Sequence, residues 1–216
     1  MAVTLPNGAL IHIGSAYGSA LTVSAVTNAN PAVPTPTAHG LANGAYVLPT
    51  PGWTRPNRRT FRVANIATNT FELEGIDTSN TNVYAAGSGI GSAKKVTTWT
   101  QIQQVLTTAS SGGEQQFTDY QFLEADSAVR IPTFKSPVQL TISVADDPSL
   151  PGYIACKAAN DDRAPRAVRI SLPNSAKLAY NGYVSIASTP SLTVNQVMAL
   201  EATVTLVNPE PSRYAT

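Results

Sequence analysis

The chain has 216 residues, of which 43% are hydrophobic and 12% charged, and its 14 Lys and Arg nearly balance its 13 Asp and Glu. This near-neutral balance argues against a protein that wraps nucleic acid, because phosphate binding needs concentrated positive charge. The hydrophobic content argues against intrinsic disorder, and the length allows one large domain or two small ones.

The start of the chain, MAVTLPNGALIHIG, has no basic segment followed by a long apolar core. No stretch approaches the roughly 20 apolar residues of a membrane helix, so the expectation is a soluble, unexported protein without membrane contact. Frequent Thr, Ser and Asn, with 16 Pro and 14 Gly, are typical of many short strands joined by turns. The sequence therefore predicts a β-rich fold.

Residues 21–93 are dense in Pro, Gly and Asn and predict a small β module with extended runs at 21–26, 45–48, 60–66 and 70–76. The last two runs alternate apolar and polar residues and are separated by a gap of hairpin length. Gly87, Gly89 and Gly91 follow as a predicted flexible exit. Their spacing does not fit a phosphate-binding loop, and no helix start follows them.

The second half of the chain predicts longer elements. Two strands at 97–108 and 115–123 are expected to flank a flexible loop, although Trp99, Ile102 and Val105 also fit one face of a helix. The remaining predicted strands are 138–144, 167–172, 178–186 and 197–207.

One helix is predicted at 150–160, with Leu150, Ile154 and Ala158 on its apolar face. Asp146 and Asp147 precede it and suit a capping role. The expected core is therefore antiparallel sheet with one packed helix.

Side chains suited to catalysis are few and scattered. His39 lies beside Gly40 and is interpreted as a turn histidine bonded to backbone, and Cys156 as buried packing on the helix. Asp161 and Asp162 are interpreted as a solvated pair beside Arg163 and Arg166, and no metal or cofactor site is predicted. We expect the protein not to be an enzyme.

The densest basic cluster lies in the predicted module and consists of Arg55, Arg58, Arg59 and Arg62. It can contact nucleic acid, acidic glycans or carboxylates of a partner. The favoured interpretation is local neutralisation, because Glu72 and Glu74 lie on the strand expected to pair with that of Arg62.

Two polar segments, TTWTQIQQ and GGEQQFTDYQF, lack a wide apolar face for a private core. Strands of this kind lie at a sheet edge or pair with another chain, and a closed ring of subunits removes such edges. The sequence therefore indicates self-assembly through strands.

Several runs in order carry a resemblance to a known family. They are SGGEQQF, QFLEADSAVRIPTFKSPVQLTISVADDPSLPGY, RAPRAVRISLPN, YNGYVSI and the closing PSRYAT. Together they resemble the tail tube protein of long non-contractile phage tails, over residues 1–20 and 94–216. The resemblance implies an antiparallel β-sandwich or barrel core with one flanking helix. It also implies hexameric rings, stacked into a hollow virion tube through which double-stranded DNA passes during ejection.

Residues 22–47 and 59–79 resemble a second family, the first catalytic cysteine half-domain of ubiquitin-activating enzymes, which recurs as an insert in phage tail proteins. The resemblance implies a small, barrel-like inserted domain at 21–93. Ala45 and Arg58 depart from its usual acidic residue and glycine. The segment has no cysteine, so no ubiquitin-like chemistry is implied.

A lumen that DNA traverses needs a wall that repels phosphate. The candidate lumen-facing or inter-subunit residues are Glu114, Asp119, Glu124 and Asp126, with ordinary solvated strand edges as the alternative. The inserted domain is expected outside the tube, where it would either reinforce the contact between rings or attach weakly to host-surface glycans. The candidate contacts are Trp53, Arg55, Arg58 and Arg59. The resemblance further implies tape measure, tail tip and tail terminator partners, and assembly in the host bacterial cytoplasm.

Two rival functions stay open from the sequence. A carbohydrate-binding β protein would use Trp53, Tyr46 and Tyr84 as stacking platforms. A hydrolase with a Ser or Asp nucleophile would need His12 or His39 to meet a carboxylate across the fold.

Overall fold

The computed structural model describes residues 5–215, so residues 1–4 and Thr216 of the predicted core unit lie outside the described part. Within it lie β-strands and a single α-helix, and the mainly β, antiparallel fold class with one helix is confirmed. In chain order the elements are β1 (Leu10–Val26), β2 (Pro34–Pro36), β3 (Tyr46–Pro51), β4 (Phe61–Ala64), β5 (Glu72–Leu73), β6 (Gly91–Ile102), β7 (Val105–Ser111), β8 (Gln115–Tyr120), β9 (Val129–Lys135), β10 (Gln139–Ala145), α1 (Pro151–Asp162), β11 (Arg166–Ser171), β12 (Lys177–Ile186), β13 (Ala199–Leu206) and β14 (Ser212–Tyr214).

The main antiparallel sheet has the strand order β6-β1-β11-β12-β13-β10-β7. Strands β1 and β10 lie four places apart, about 19 Å across a flat sheet. Yet Ile13 of β1 and Ile142 of β10, 1% and 0% exposed, belong to the same apolar core as Val168 and Val204. The sheet is therefore strongly curved around one core.

Helix α1 covers this core through small side chains. Its buried residues are Gly152, Cys156 and Ala159, whereas Ile154 is 55% exposed, so the predicted apolar face is wrong. The small residues allow close approach to the sheet, because a Cβ on Gly152 would lie 2.6 Å from the backbone oxygen of Gln101.

The predicted cap of α1 is also wrong. The helix begins after Leu150, which provides no side-chain hydrogen bond, and the first turn has no acidic residue. Asp147 instead accepts hydrogen bonds from the backbone N–H and hydroxyl of Ser149, ahead of the helix. Asp161 and Asp162 end the helix and do not form a loop, and Asp162 is ion-paired with Arg166.

The strands β3, β4 and β5 continue the same sheet beyond β6, and β2 pairs with the second half of β1. They enclose a second apolar cluster that includes Val47, Phe61 and Phe71. A third cluster contains Tyr46 of β3 and Ala179 of β12, and so joins these strands to the main sheet. Strands β1 and β6 run through both parts, and the proposed module boundaries at 20/21 and 93/94 fall inside them.

The four strands predicted after residue 137 are present as β10 to β13, within two residues of the expected bounds. The strands predicted at 97–108 and 115–123 are present as β6 with β7 and as β8, and the helical alternative for Trp99, Ile102 and Val105 is wrong. The first predicted strand is interrupted at Gln104, where φ is 54°. The second part, β7, pairs with β10, and β8 pairs with β9. Gly91, predicted as part of a flexible exit, begins β6 and pairs with β1 and β3.

The environment of Cys156 yields a first test. Burial raises the pKa of its thiol to about 11 from 9.0, because the thiolate is costly in an apolar site. We expect its reaction with a disulfide reagent at pH 8 to be about 100-fold slower in the folded chain than in denaturant. Release of the coloured thiol from the reagent measures the rate. Equal rates in the folded chain and in denaturant would contradict the buried placement of Cys156.

None of the helices in residues 5–215 is long and apolar enough to cross a membrane.

Candidate assembly surface

The β8 and β9 strands form a two-stranded hairpin, residues 115–135, that pairs with no other strand of the described chain. Nearly every residue in it is exposed on both faces. The exposed side chains include Phe117 at 53%, Phe134 at 67% and, in the turn, Leu123 at 105%. An isolated two-stranded hairpin is marginally stable in water, and exposed apolar side chains of this kind are typical of an interaction surface.

The hairpin leaves the sheet through a narrow, hydrogen-bonded base. Gly113 N–H donates to the Ser136 carbonyl at 3.2 Å, and Ser136 N–H donates to the Glu114 carbonyl at 2.8 Å. Gly112 precedes them with a φ of 83°, where a Cβ would overlap the Pro137 carbonyl. This left-handed, crowded position requires glycine and sets the direction in which the hairpin leaves.

The four predicted acidic candidates lie on or next to this hairpin, and all are exposed. Asp119 is neutralised across the strands by Arg130, whose Nε lies 2.8 Å from the carboxylate. The hydrogen bond from Arg130 holds the pKa of Asp119 below its usual value. Glu114, Glu124 and Asp126 make no ion pair within residues 5–215, so they, and not Asp119, offer free negative charge.

Strand β7 ends the main sheet with an open edge. Among the strands of residues 5–215 it pairs with β10 alone, and six of its seven residues are exposed. Beside it runs an open groove of about 590 Å³, lined by Ile11, Leu106, Leu140 and Tyr180 among others. An edge strand with unpaired backbone groups beside a groove of mixed polar and apolar lining can accept a strand from another chain.

Sequence reasoning missed β9, residues Val129–Lys135. The alternation of Val129 and Ile131 with Arg130 was the available signal, but Pro132 in the same run disfavours a central strand. In the structure Pro132 lies opposite Phe117 in an isolated hairpin, where a missing N–H costs no ladder bond to a third strand.

The basic cluster is divided by the fold. Arg62 pairs with Glu74 at 2.5 Å, which confirms the predicted local neutralisation at that position, while Glu72 accepts from Asn65. Arg59 lies 3.3 Å from Glu210. Arg55 and Arg58 are exposed and make no ion pair in the described chain.

The aromatic residues proposed as outside contacts are buried. Trp53 is 5% exposed, its indole N–H donates to the Ala85 carbonyl at 2.9 Å, and its ring packs edge-on against Tyr84. Tyr84 and Tyr46 are 8% and 2% exposed. The prediction of Trp53 as an exterior contact is therefore corrected, and the stacking platforms needed for sugar binding are not on the surface. The burial of these rings stabilises the fold, because it removes apolar surface from water.

The two histidines lie apart. His39 contacts the Ala67 carbonyl at 2.9 Å and accepts from Leu41 N–H, which confirms the predicted backbone-bonded turn histidine. His12 lies on β1 opposite Arg169, and burial, followed by the nearby Arg169 charge, lowers its pKa. Within residues 5–215 no three His, Cys, Asp or Glu side chains are grouped to hold a metal ion.

Comparison with known proteins places this architecture in a family. Residues 51–216 match the family described as phage tail tube protein, TTP. The chain belongs to the phage tail tube protein family. The match begins inside the proposed module and includes the hairpin, β7 and α1 of this tail tube protein. No protein of curated function matches the sequence.

Three solved structures are similar to part of this tail tube protein. The anti-feeding prophage cap, described as the AFP tube terminating cap, has 15% identity and a TM-score of 0.39, covering 54% of this chain and 83% of that chain. The PVC sheath-tube complex of an extracellular contractile injection system has 13% identity and a TM-score of 0.36, covering 50% and 80%. The anti-feeding prophage baseplate has 10% identity and a TM-score of 0.36, covering 55% and 85%.

Proposed function

We propose that this chain forms a phage tail tube as stacked hexameric rings around a hollow lumen that passes double-stranded DNA during ejection. The observation that carries the proposal is the unpaired hairpin, residues 115–135, with its apolar side chains exposed on both faces. Membership of the tail tube family gives this surface its context.

The proposed contacts between copies follow from two open features. The edge of β7 receives a strand of the neighbouring copy, which satisfies its free backbone groups. The hairpin packs its exposed apolar side chains, such as Phe117 and Phe134, against another copy. Burial of these rings provides the free energy of assembly, at about 25 cal/mol for each Å² of apolar surface.

The proposed lumen wall repels DNA. Glu114 at the base of the hairpin is exposed without an ion pair in the described chain and remains a lumen candidate. With a formal net charge of +1, the chain has an excess of a single cation to hold phosphate by counterion release. The protein acts as a conduit, and no catalytic role is proposed.

The rest of the proposal follows from the resemblance in the sequence. The tube belongs to a long non-contractile tail, with residues 21–93 on its exterior and tape measure, tail tip and tail terminator proteins as partners. It assembles in the host bacterial cytoplasm. Images of intact particles test the tail type, because a non-contractile tail shows a bare tube where a contractile one shows a surrounding sheath.

The direct test is electron microscopy of the purified chain over rising concentration. We expect rings and tubes with sixfold end views above a threshold concentration, and separate monomers below it. A monodisperse monomer at every concentration would overturn the proposal. A carbohydrate-binding role has no structural support, since the aromatic residues that it would use are buried.

A further inference from the structure

An open, basic cleft lies on the side of the molecule where residues 21–93 meet the end of α1. Its volume is about 390 Å³, and its lining includes Leu48, Arg58, Lys94, Arg166, Asn181 and Tyr183. The cleft joins cations from three parts of the chain with an aromatic and apolar wall. This combination suits a segment that carries carboxylates beside apolar side chains.

Two of the three cations that line the cleft have no counterion in the described part of the chain. Arg166 is ion-paired with Asp162 and stacks 5.6 Å over Tyr17. Arg58 and Lys94, by contrast, make no ion pair within residues 5–215, and both are exposed. The cleft therefore presents two free positive charges.

The backbone of Arg58 is fixed in a conformation that arginine disfavours. Its φ is 58°, its N–H donates to the Pro49 carbonyl at 2.9 Å, and its carbonyl accepts from Asn181 Nδ2 at 2.7 Å. Glycine would adopt this left-handed geometry without the cost of about 1–2 kcal/mol that a Cβ brings. These two hydrogen bonds hold the Arg58 backbone against β3 and β12 and so place its side chain at the cleft.

Asn181 lines the same cleft and carries a hydrogen-bond acceptor that has no donor. It is 4% exposed, and its Oδ1 has no hydrogen-bond partner in the structure. A buried acceptor without a donor costs about 1–3 kcal/mol, which a donor on a docked segment would offset.

The hairpin turn, residues 121–128, has the matching chemistry. Glu124 and Asp126 are exposed and make no ion pair in the described chain, and Phe122 and Leu123 beside them are 60% and 105% exposed. Gln121 Nε2 donates to the Ala125 carbonyl at 2.7 Å, which holds the turn together. The six residues of β8 carry this turn about 20 Å from the base, far enough to reach another copy.

We propose that the cleft receives the hairpin turn of a neighbouring copy, with Glu124 and Asp126 paired to its Arg58 and Lys94 and with Phe122 and Leu123 against its Leu48 and Tyr183. The inference rests on the proposed tube, because it assigns one of its contacts. It makes the junction between residues 21–93 and the rest of the sheet a receptor for the next subunit.

The decisive variant is Arg58→Gly, which removes the charge and relieves the left-handed strain. We expect its thermal midpoint to equal or exceed that of the wild type, while the concentration for half-assembly rises about tenfold. The matched control is Arg55→Gly, because Arg55 is exposed in the same loop, loses the same charge and does not line the cleft. It should assemble as the wild type does.

Charge reversal then tests the pairing. Arg58→Glu with Lys94→Glu, and separately Glu124→Lys with Asp126→Lys, should each suppress assembly, and the four changes together in one chain should restore it. A Lys94→Cys, Glu124→Cys variant should form disulfides between copies in tubes and not in monomers. The native Cys156 is buried and gives little background.

The outcomes separate this inference from the tube itself. Normal tubes from Arg58→Gly and from both reversals would overturn the docking contact and leave the tube proposal intact. Binding of heparin by the wild type, lost in Arg58→Glu with Lys94→Glu while tubes persist, would overturn it in favour of a glycan site. A wild type that forms no tubes would overturn both.

Discussion

Removal of the hairpin should abolish tube formation and leave a folded monomer. In this variant residues 115–135 are replaced by an Asn-Gly turn between Glu114 and Ser136. The join is short, because Ser136 N–H already donates to the Glu114 carbonyl at 2.8 Å, and a two-residue turn closes such a pair of strands. We expect assembly to require at least about 100-fold more protein, equivalent to about 2.8 kcal/mol.

The fold of the shortened chain should be retained, because no residue of 115–135 belongs to the buried core. Its exposed contact Lys135–Glu210, at 3.6 Å, contributes little. We expect a free energy of unfolding within about 1 kcal/mol of the wild type. Light scattering and electron microscopy report assembly, and urea unfolding reports stability.

A milder variant, Phe117→Ser with Phe134→Ser, keeps the hairpin and removes its large apolar rings, so it should assemble at an intermediate concentration. Tubes of normal threshold from the shortened chain would show that the hairpin is not the assembly element. Loss of cooperative unfolding in the shortened chain would show that the hairpin is needed for the fold of the monomer.

Truncation of Ile142 should have the largest effect on stability. Ile142 is 0% exposed, lies on β10 and packs in the main core. Ile142→Ala should lower the free energy of unfolding by about 2–5 kcal/mol, because it removes apolar burial and leaves a cavity. Urea unfolding at a concentration below the assembly threshold measures the loss without a contribution from the tube.

The matched control is Ile154→Ala on the helix. Ile154 fits the apolar face that the sequence predicts for α1, but it is 55% exposed in the structure. We expect this change to cost less than about 0.5 kcal/mol, as for an ordinary surface substitution. A cost equal to that of Ile142→Ala would show that the helix packs through the predicted face after all.

The hairpin and the cleft both present groups that have no partner within the described chain. The hairpin exposes apolar rings and two carboxylates without an ion pair in the described chain, while the cleft presents two cations without one and is lined by Asn181, whose buried Oδ1 has no hydrogen-bond partner. Each set lacks inside the chain what the other offers. In the proposed assembly, a second copy would supply both.

The contrast between predicted and observed pairing shows where local signals stop. Alternation along 138–144 and 178–186 predicted the ends of β10 and β12 to within about two residues. The reason is that a half-buried strand alternates apolar and polar residues along its sequence. The partner of β8 was not predicted. Pairing depends on which strand meets which in space, and Pro132 made the true partner look irregular.

By itself the sequence determined the antiparallel β class, the single helix, the later strands and the backbone-bonded state of His39, since propensity, alternation and turn chemistry are local. Only the tertiary structure decided that α1 packs through Gly152 and Cys156, that Trp53 is buried, and that Arg58 and Lys94 share a cleft. Burial and charge neutralisation depend on neighbours that are distant along the chain. Asp119 was neutralised and Arg58 left free by contacts that no local pattern encodes.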